Sequence, residues 1–117
     1  MEQEYIKGDI VMYDNKIHTI MDTLGVNNYE LSYVEHPVHQ LELSGVPITS
    51  EILEKNGWKA TNRDVTFEME YFDTKLTRVN LFYNIRSICR YDKYEMIYVH
   101  ELQHLLFGLD LNHKMMI

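Results

Sequence analysis

The stretch "GDIVMYDNKIHTIMD", Gly8 to Asp22, decides how the first third of this chain folds. Ile10 and Met12 share one parity and Val11 and Tyr13 the other, which is the two-residue period of a strand. Asp14-Asn15 is a two-residue turn signal. On the return, Ile17, Thr19 and Met21 alternate with His18, Ile20 and Asp22. A glycine, a V-x-Y strand, a tight turn and an alternating return strand predict the start of a small SH3-like barrel. Further on, "LGVNN" reads as a second turn. "YELSYVE" reads as a third strand with Tyr29, Leu31 and Tyr33 on one face, and His36-Pro37 ends or edges the next.

Beyond that region the pattern predicts one short helix. Thr49 or Ser50 caps it, Glu51 suits its positive end, Ile52 and Leu53 give it an apolar side, and Asn56-Gly57 stops it. Trp58 is expected to fold back onto the core. "VTFEMEYF" then alternates as a strand, with Asp73-Thr74 as its turn. "KLTRVNLFY" and "IRSICRY" supply one or two more strands, with Arg78 across from Glu68 or Glu70, and "YDKYE" is a last turn. Val99, Leu102, Leu105, Leu106 and Leu109 recur at helical spacing, which predicts an amphipathic helix over about 97–108 docked on the sheet. Gly108 or Asn112 would stop it. The fold class is therefore α+β: SH3-like antiparallel strands, a short central helix, further antiparallel strands and a C-terminal helix.

The bulk numbers agree with one domain spanning residues 1–117. The apolar fraction is 45% and the charged fraction 25%, ordinary for a globular protein. No apolar run approaches the roughly 18 residues of a membrane span. "MEQEYIKGD" has no apolar core of a secretory leader. Cys89 is the single cysteine, which excludes an internal disulfide and favours the cytoplasm of a cell or of an infected host. The net charge is −7 with scattered basic residues, so a nucleic-acid partner is not expected. Nine tyrosines and seven methionines hint at binding.

One motif carries specific chemistry. "HELQH", His100 to His104, matches H-E-x-x-H. Histidines four apart on a helix share a face and can hold zinc through imidazole nitrogens, with Glu101 as general base. In this alternative reading, a small zinc metallopeptidase, Asp110 or His113 supplies the third ligand. The continuation departs from the zinc-protease pattern: the glycine expected at 107 is Phe107, and no glutamate follows His104. On the simpler reading, His100, Glu101, Gln103 and His104 fill the polar faces of a surface helix. No metal and no cofactor are then expected. His36 and His39, flanking "PV", form a weaker pair, and Cys89 reads as a buried, inert thiol. Phosphate-binding, dinucleotide-binding and hydrolase-elbow glycine motifs are not present in the sequence.

Three stretches carry a resemblance across nearly the whole chain. "GDIVMY" (Gly8 to Tyr13), "GVPITSEILEKNGW" (Gly45 to Trp58) and "YVHELQHLLFGL" (Tyr98 to Leu109) resemble the short, uncharacterised proteins of gut Bacteroides-type bacteria and their phages. That group has a G-[ND]-x-V start, a P-I-x-L-T-E-x-x-L-x-x-x-G-[FW] middle and a Y-V-H-x-L-Q-x-L-x-F C-terminus. The chain departs from it by one residue fewer between Ile48 and Thr49. In that group the positions of Glu101 and His104 are commonly glutamine and asparagine. The shared positions are Tyr98, His100, Leu102, Gln103 and Phe107. The resemblance implies a phage or mobile-element setting and a small cytoplasmic α+β domain, with no known activity.

The function expected from all this leans away from catalysis. It is an accessory protein that binds a host protein or a small ligand, an anti-defence factor being one form, with Tyr98, His100, Gln103 and Phe107 as binding residues. A third reading is a structural, self-associating protein in which the C-terminal helix and "HKMMI" tail bury against a second copy.

Overall fold

The computed structural model describes residues 5–60, 66–72, 78–84 and 88–117. Its contacts divide the chain into two compact units, Met1–Val46 and Pro47–Ile117.

The first unit is built by strands β1 (Ile10–Tyr13), β2 (Lys16–Thr23), β3 (Asn28–Leu31), β4 (Val38–His39) and β5 (Ser44–Gly45). A 3-10 turn, Gln40–Glu42, precedes β5. All pairings are antiparallel, in the order β4-β3-β2-β1-β5, so the last strand returns to the first. The sheet curls into a half-barrel, the SH3-like start that the sequence predicts. Asp14 and Asn15 have φ of 50° and 62°, the left-handed pair that a two-residue hairpin turn requires. The curl has a second local cause. Ile20 pairs with Leu31 but Asp22 pairs with Glu30, and this shift of register bends β2.

The "GD" at the head of the opening stretch does structural work. Gly8 sits at φ 95°, which a side chain would oppose. Asp9 is buried, its carboxylate accepts from the Ile6 amide at 2.9 Å, and its main chain continues the ladder to Ile20. Tyr5, Val11, Ile20, Tyr29, Leu31, Val38 and Leu43 form the core cluster. Tyr29 stacks edge-on against Tyr5 and donates its hydroxyl to Gln40 at 3.0 Å, so this polar pair is buried and satisfied.

One strand is shorter than its pattern predicts. Tyr33 does not share a face with Tyr29 and Leu31. The Ser32 amide donates to the Thr19 carbonyl and its hydroxyl accepts from the Thr19 amide, both at 3.0 Å, which ends β3. The chain then turns through Tyr33 at φ 62°, leaving its ring 100% exposed.

The second unit contains α1 (Ser50–Lys55), β6 (Lys59–Ala60), β7 (Thr66–Phe72), β8 (Arg78–Asn84), β9 (Ile88–Tyr91), β10 (Tyr94–Met96) and α2 (Val99–Gly108). The antiparallel sheet runs β10-β9-β8-β7-β6. Thr49 caps α1 by accepting from the Ile52 amide at 3.2 Å, and Gly57 ends it at φ 90°. Trp58 is buried, as expected. "YDKYE" is a hairpin and not a plain turn: Asp92 takes φ 53° and Tyr94–Met96 returns as an extra strand. Arg78 pairs with Phe72, while Glu70 faces Asn80 and Glu68 faces Phe82. The expected Asp73-Thr74 turn lies outside the described residues. The Ile48 amide bonds the Ile97 carbonyl at 2.8 Å, tying the start of this unit to the approach of α2. Among the described residues no helix is long and apolar enough to cross a membrane.

Candidate functional site

The helix α2 carries the residues that the sequence marks for function. Its N-cap is Tyr98, whose phenol makes no cap bond. Glu101 supplies the cap instead: its Oε1 accepts from the Ile97 amide at 3.0 Å and the Tyr98 amide at 2.9 Å. These are otherwise orphaned donors at the positive end of a helix, and a carboxylate suits them. At the other end the chain closes a Schellman turn. The Asp110 amide donates to the Phe107 carbonyl at 3.1 Å and the Leu111 amide to Leu106 at 2.9 Å, with Asp110 in the left-handed conformation at φ 59°.

The burial of α2 differs from the simple amphipathic reading. Val99, Leu102 and Leu106 face inward, as their spacing predicts. His100 and Gln103 are inside with them, at 2% and 0% exposure, and do not fill a surface face. Leu109 is exposed, because the helix has already ended. The cause is the tail: the Gln103 amide donates to the His113 carbonyl at 2.9 Å, and Leu111 is buried. Residues 99, 102, 103 and 106 form one face at steps of three, one and three, so covering that face necessarily takes Gln103 inside. His100 stacks on Tyr98 with ring centroids 5.8 Å apart. Of the four binding residues the sequence suggests, Tyr98 and Phe107 are thus exposed and His100 and Gln103 are enclosed.

For the zinc reading, the structure brings His100 and His104 side by side, with centroids 5.8 Å apart at 73°. The remaining parts are placed elsewhere. Glu101 is bonded to main chain, Asp110 forms the turn, and the His113 ring packs edge-on against Phe107 at 5.1 Å. Among the described residues no group of three or more His, Cys, Asp or Glu side chains is arranged to hold a metal. The second histidine pair is also divided. His39 Nδ1 accepts from the Leu41 amide at 3.1 Å, while Glu42 accepts from the His39 amide at 3.1 Å, a reciprocal cap on the 3-10 turn. His36 packs against Tyr13 at 6.4 Å. Burial pushes the Cys89 thiol up to about 12, against the lowering effect of the Arg90 backbone hydrogen bond, so this thiol is protonated and inert at neutral pH.

Two further features were not legible as sites in the sequence. In the first unit, the Gln40 amide bonds the Asn27 carbonyl at 2.8 Å, which brings the β2–β3 turn beside the 3-10 turn. Val26 is 81%, Leu41 86% and Leu24 36% exposed on these turns. In the second unit, the tail folds back on α1. The Asn56 amide donates to the Met116 carbonyl and its oxygen accepts from the Met116 amide, both at 2.7 Å, and Lys55 Nζ donates to the terminal main-chain oxygen of Ile117 at 2.7 Å. Lys55-Asn56 read only as a helix end, since nothing in the local pattern announces a partner sixty residues away. No known protein family, curated protein or solved structure matches the chain.

Proposed function

We propose that this chain is a non-enzymatic binding protein whose partner is a bacterial host protein. Its setting, a phage or mobile element acting in the host cytoplasm, follows from the resemblance alone, and an anti-defence role is one form of it. The observation that supports a protein partner is the apolar end of the half-barrel. Leu24, Val26 and Leu41 stand exposed on two turns joined by a main-chain hydrogen bond. Exposed aliphatic side chains on adjoining turns are candidates for an interaction surface. The bonding of Glu101 to two main-chain amides as a helix cap supports a non-catalytic role for that residue.

The test compares the chain with a Val26→Asp/Leu41→Asp variant, both tagged and produced in a bacterial host. Both positions are exposed, so circular dichroism and thermal melting should match. A stoichiometric protein retained by the first and lost by the second is the expected result. No stoichiometric partner, or one held equally by both, ends the reading. A wild-type dimer in light scattering that the variant abolishes would assign the apolar end to self-association instead.

A further inference from the structure

The tail after α2 lies in the second unit as a bound peptide would. From Leu111 to Ile117, buried or half-buried residues alternate with exposed ones, the two-residue period of an extended chain. Asn56 reads the main chain of one tail residue from both sides. Its Nδ2 donates to the Met116 carbonyl and its Oδ1 accepts from the Met116 amide, both at 2.7 Å. Nδ2 also donates to the Ile52 carbonyl at 2.8 Å, so the end of α1 fixes the carboxamide in this orientation. The Met116 side chain is 63% exposed, so the contact reads backbone and leaves the side chain largely to solvent. Met115 is half-buried and lines an open cavity with Trp58, Tyr71 and Leu106. About 340 Å³ stay unfilled there with the tail seated, far more than the water-sized voids of a packed interior.

We infer that the groove beside α1 is a peptide-binding site, filled in cis by residues 114–117, that takes an extended segment of another protein in which a methionine-like residue is followed by any residue. Main-chain bonds supply the affinity, and the pocket under the first of the two residues supplies the choice. The unfilled space suits a long, adaptable side chain such as methionine. The tail can yield because its hold weakens at residue 114. Up to there it is anchored by buried Leu111 and by the Gln103 bond to the His113 carbonyl at 2.9 Å. Beyond it, both Asn56 bonds are exposed, and such bonds exchange with water at small net cost. The site uses no residue of the half-barrel and stands or falls apart from the partner proposed there.

The test uses a fluorescein-labelled peptide reproducing residues 112–117, followed by anisotropy against the full chain. In the wild type the tail competes at an effective concentration on the order of millimolar, so the peptide should bind weakly. In Met115→Ser/Met116→Pro the tail loses its pocket residue and its donor to Asn56, since proline has no N–H. Saturable binding should then tighten by about tenfold or more. Adding Asn56→Ala to that variant should abolish it. Within the peptide, Met116→Ala should leave the affinity unchanged, and Met115→Ala should weaken it about tenfold. Magnetic resonance of the isotope-labelled wild type needs no variant: peptide at several times that millimolar level should shift the Met116 amide signal towards its free position. The inference is overturned by a Met116 amide that the peptide leaves unmoved, by no saturable binding to the folded Met115→Ser/Met116→Pro chain, by binding that survives Asn56→Ala, or by equal losses at the two peptide positions. A wild-type dimer in light scattering that Asn56→Ala dissolves would give the groove to a second copy's tail and likewise end this reading.

Discussion

The helices α1 and α2 solve the same end problems with different residues. In α1 the first amides are met by the Thr49 hydroxyl and the left-handed exit is taken by Gly57. The Trp58 amide then closes onto the Leu53 carbonyl at 3.0 Å, as Leu111 closes onto Leu106 in α2. In α2, Tyr98 has no short acceptor to offer, so Glu101 reaches back to two amides, and Asp110 takes the left-handed position. Threonine and glycine are familiar cap residues, so α1 is readable from its letters. Glutamate and aspartate at the same jobs, between two histidines and beyond them, spell a metal site. The difference teaches that an acidic residue beside a histidine on a helix must first be tested against the needs of the backbone.

The comparison can be broken most directly at Glu101. Glu101→Ala should cost about 1–2 kcal/mol of stability in urea unfolding, for the loss of a charged cap on two amides. Glu101→Gln, which keeps an acceptor oxygen, should recover most of it. Equal stability in all three proteins would remove the cap as the reason for this residue and return it to other roles.

The exits should respond with opposite signs. Gly57→Ala should cost about 1–2 kcal/mol, because alanine resists the left-handed conformation. The added Cβ meets Tyr71 at 3.6 Å, an ordinary contact, so the cost is conformational. Asp110→Gly should stabilise by about 0.5–1 kcal/mol. A loss of stability on Asp110→Gly would show that the Asp110 side chain, and not its backbone, is what matters there.

The last effect is silent at neutral pH and concerns the sheet between the two helices in the chain. The Cys89 thiol is held near 12 in the folded chain against an ordinary 9.0. The unfolded chain therefore releases this proton first as pH rises. The stabilising contribution is complete below pH 9 and declines between about 9 and 12. Unfolding followed across that window should show a shallower alkaline decline in Cys89→Ala than in the wild type. Parallel declines would mean the thiol is not buried as described.

The half-barrel was legible because its signals are local. Asp14-Asn15 sets the hairpin, and alternation sets the inward parity of Val11 and Ile20. Alternation continues through Tyr33, but a hydroxyl on Ser32 and a carbonyl on Thr19 end the strand before it. The strand Tyr94–Met96 is not legible locally, because three residues carry too little pattern. On α2, the aliphatic positions marked the buried face correctly, but periodicity counts apolar residues and could not place Gln103 among them.

By itself, the sequence determined the fold class, the longer strands, the Asp14-Asn15 hairpin and both helices, because strand alternation, turn chemistry and helical spacing act over a few residues. Only the tertiary structure decided what the polar residues do. Gln103 is enclosed because residue 113 bonds it, and Asn56 is a clamp because residue 116 arrives. The turns that carry Val26 and Leu41 are joined because residue 40 bonds residue 27. Each of these outcomes depends on a contact between distant parts of the chain, and no local pattern encodes where such a partner will stand.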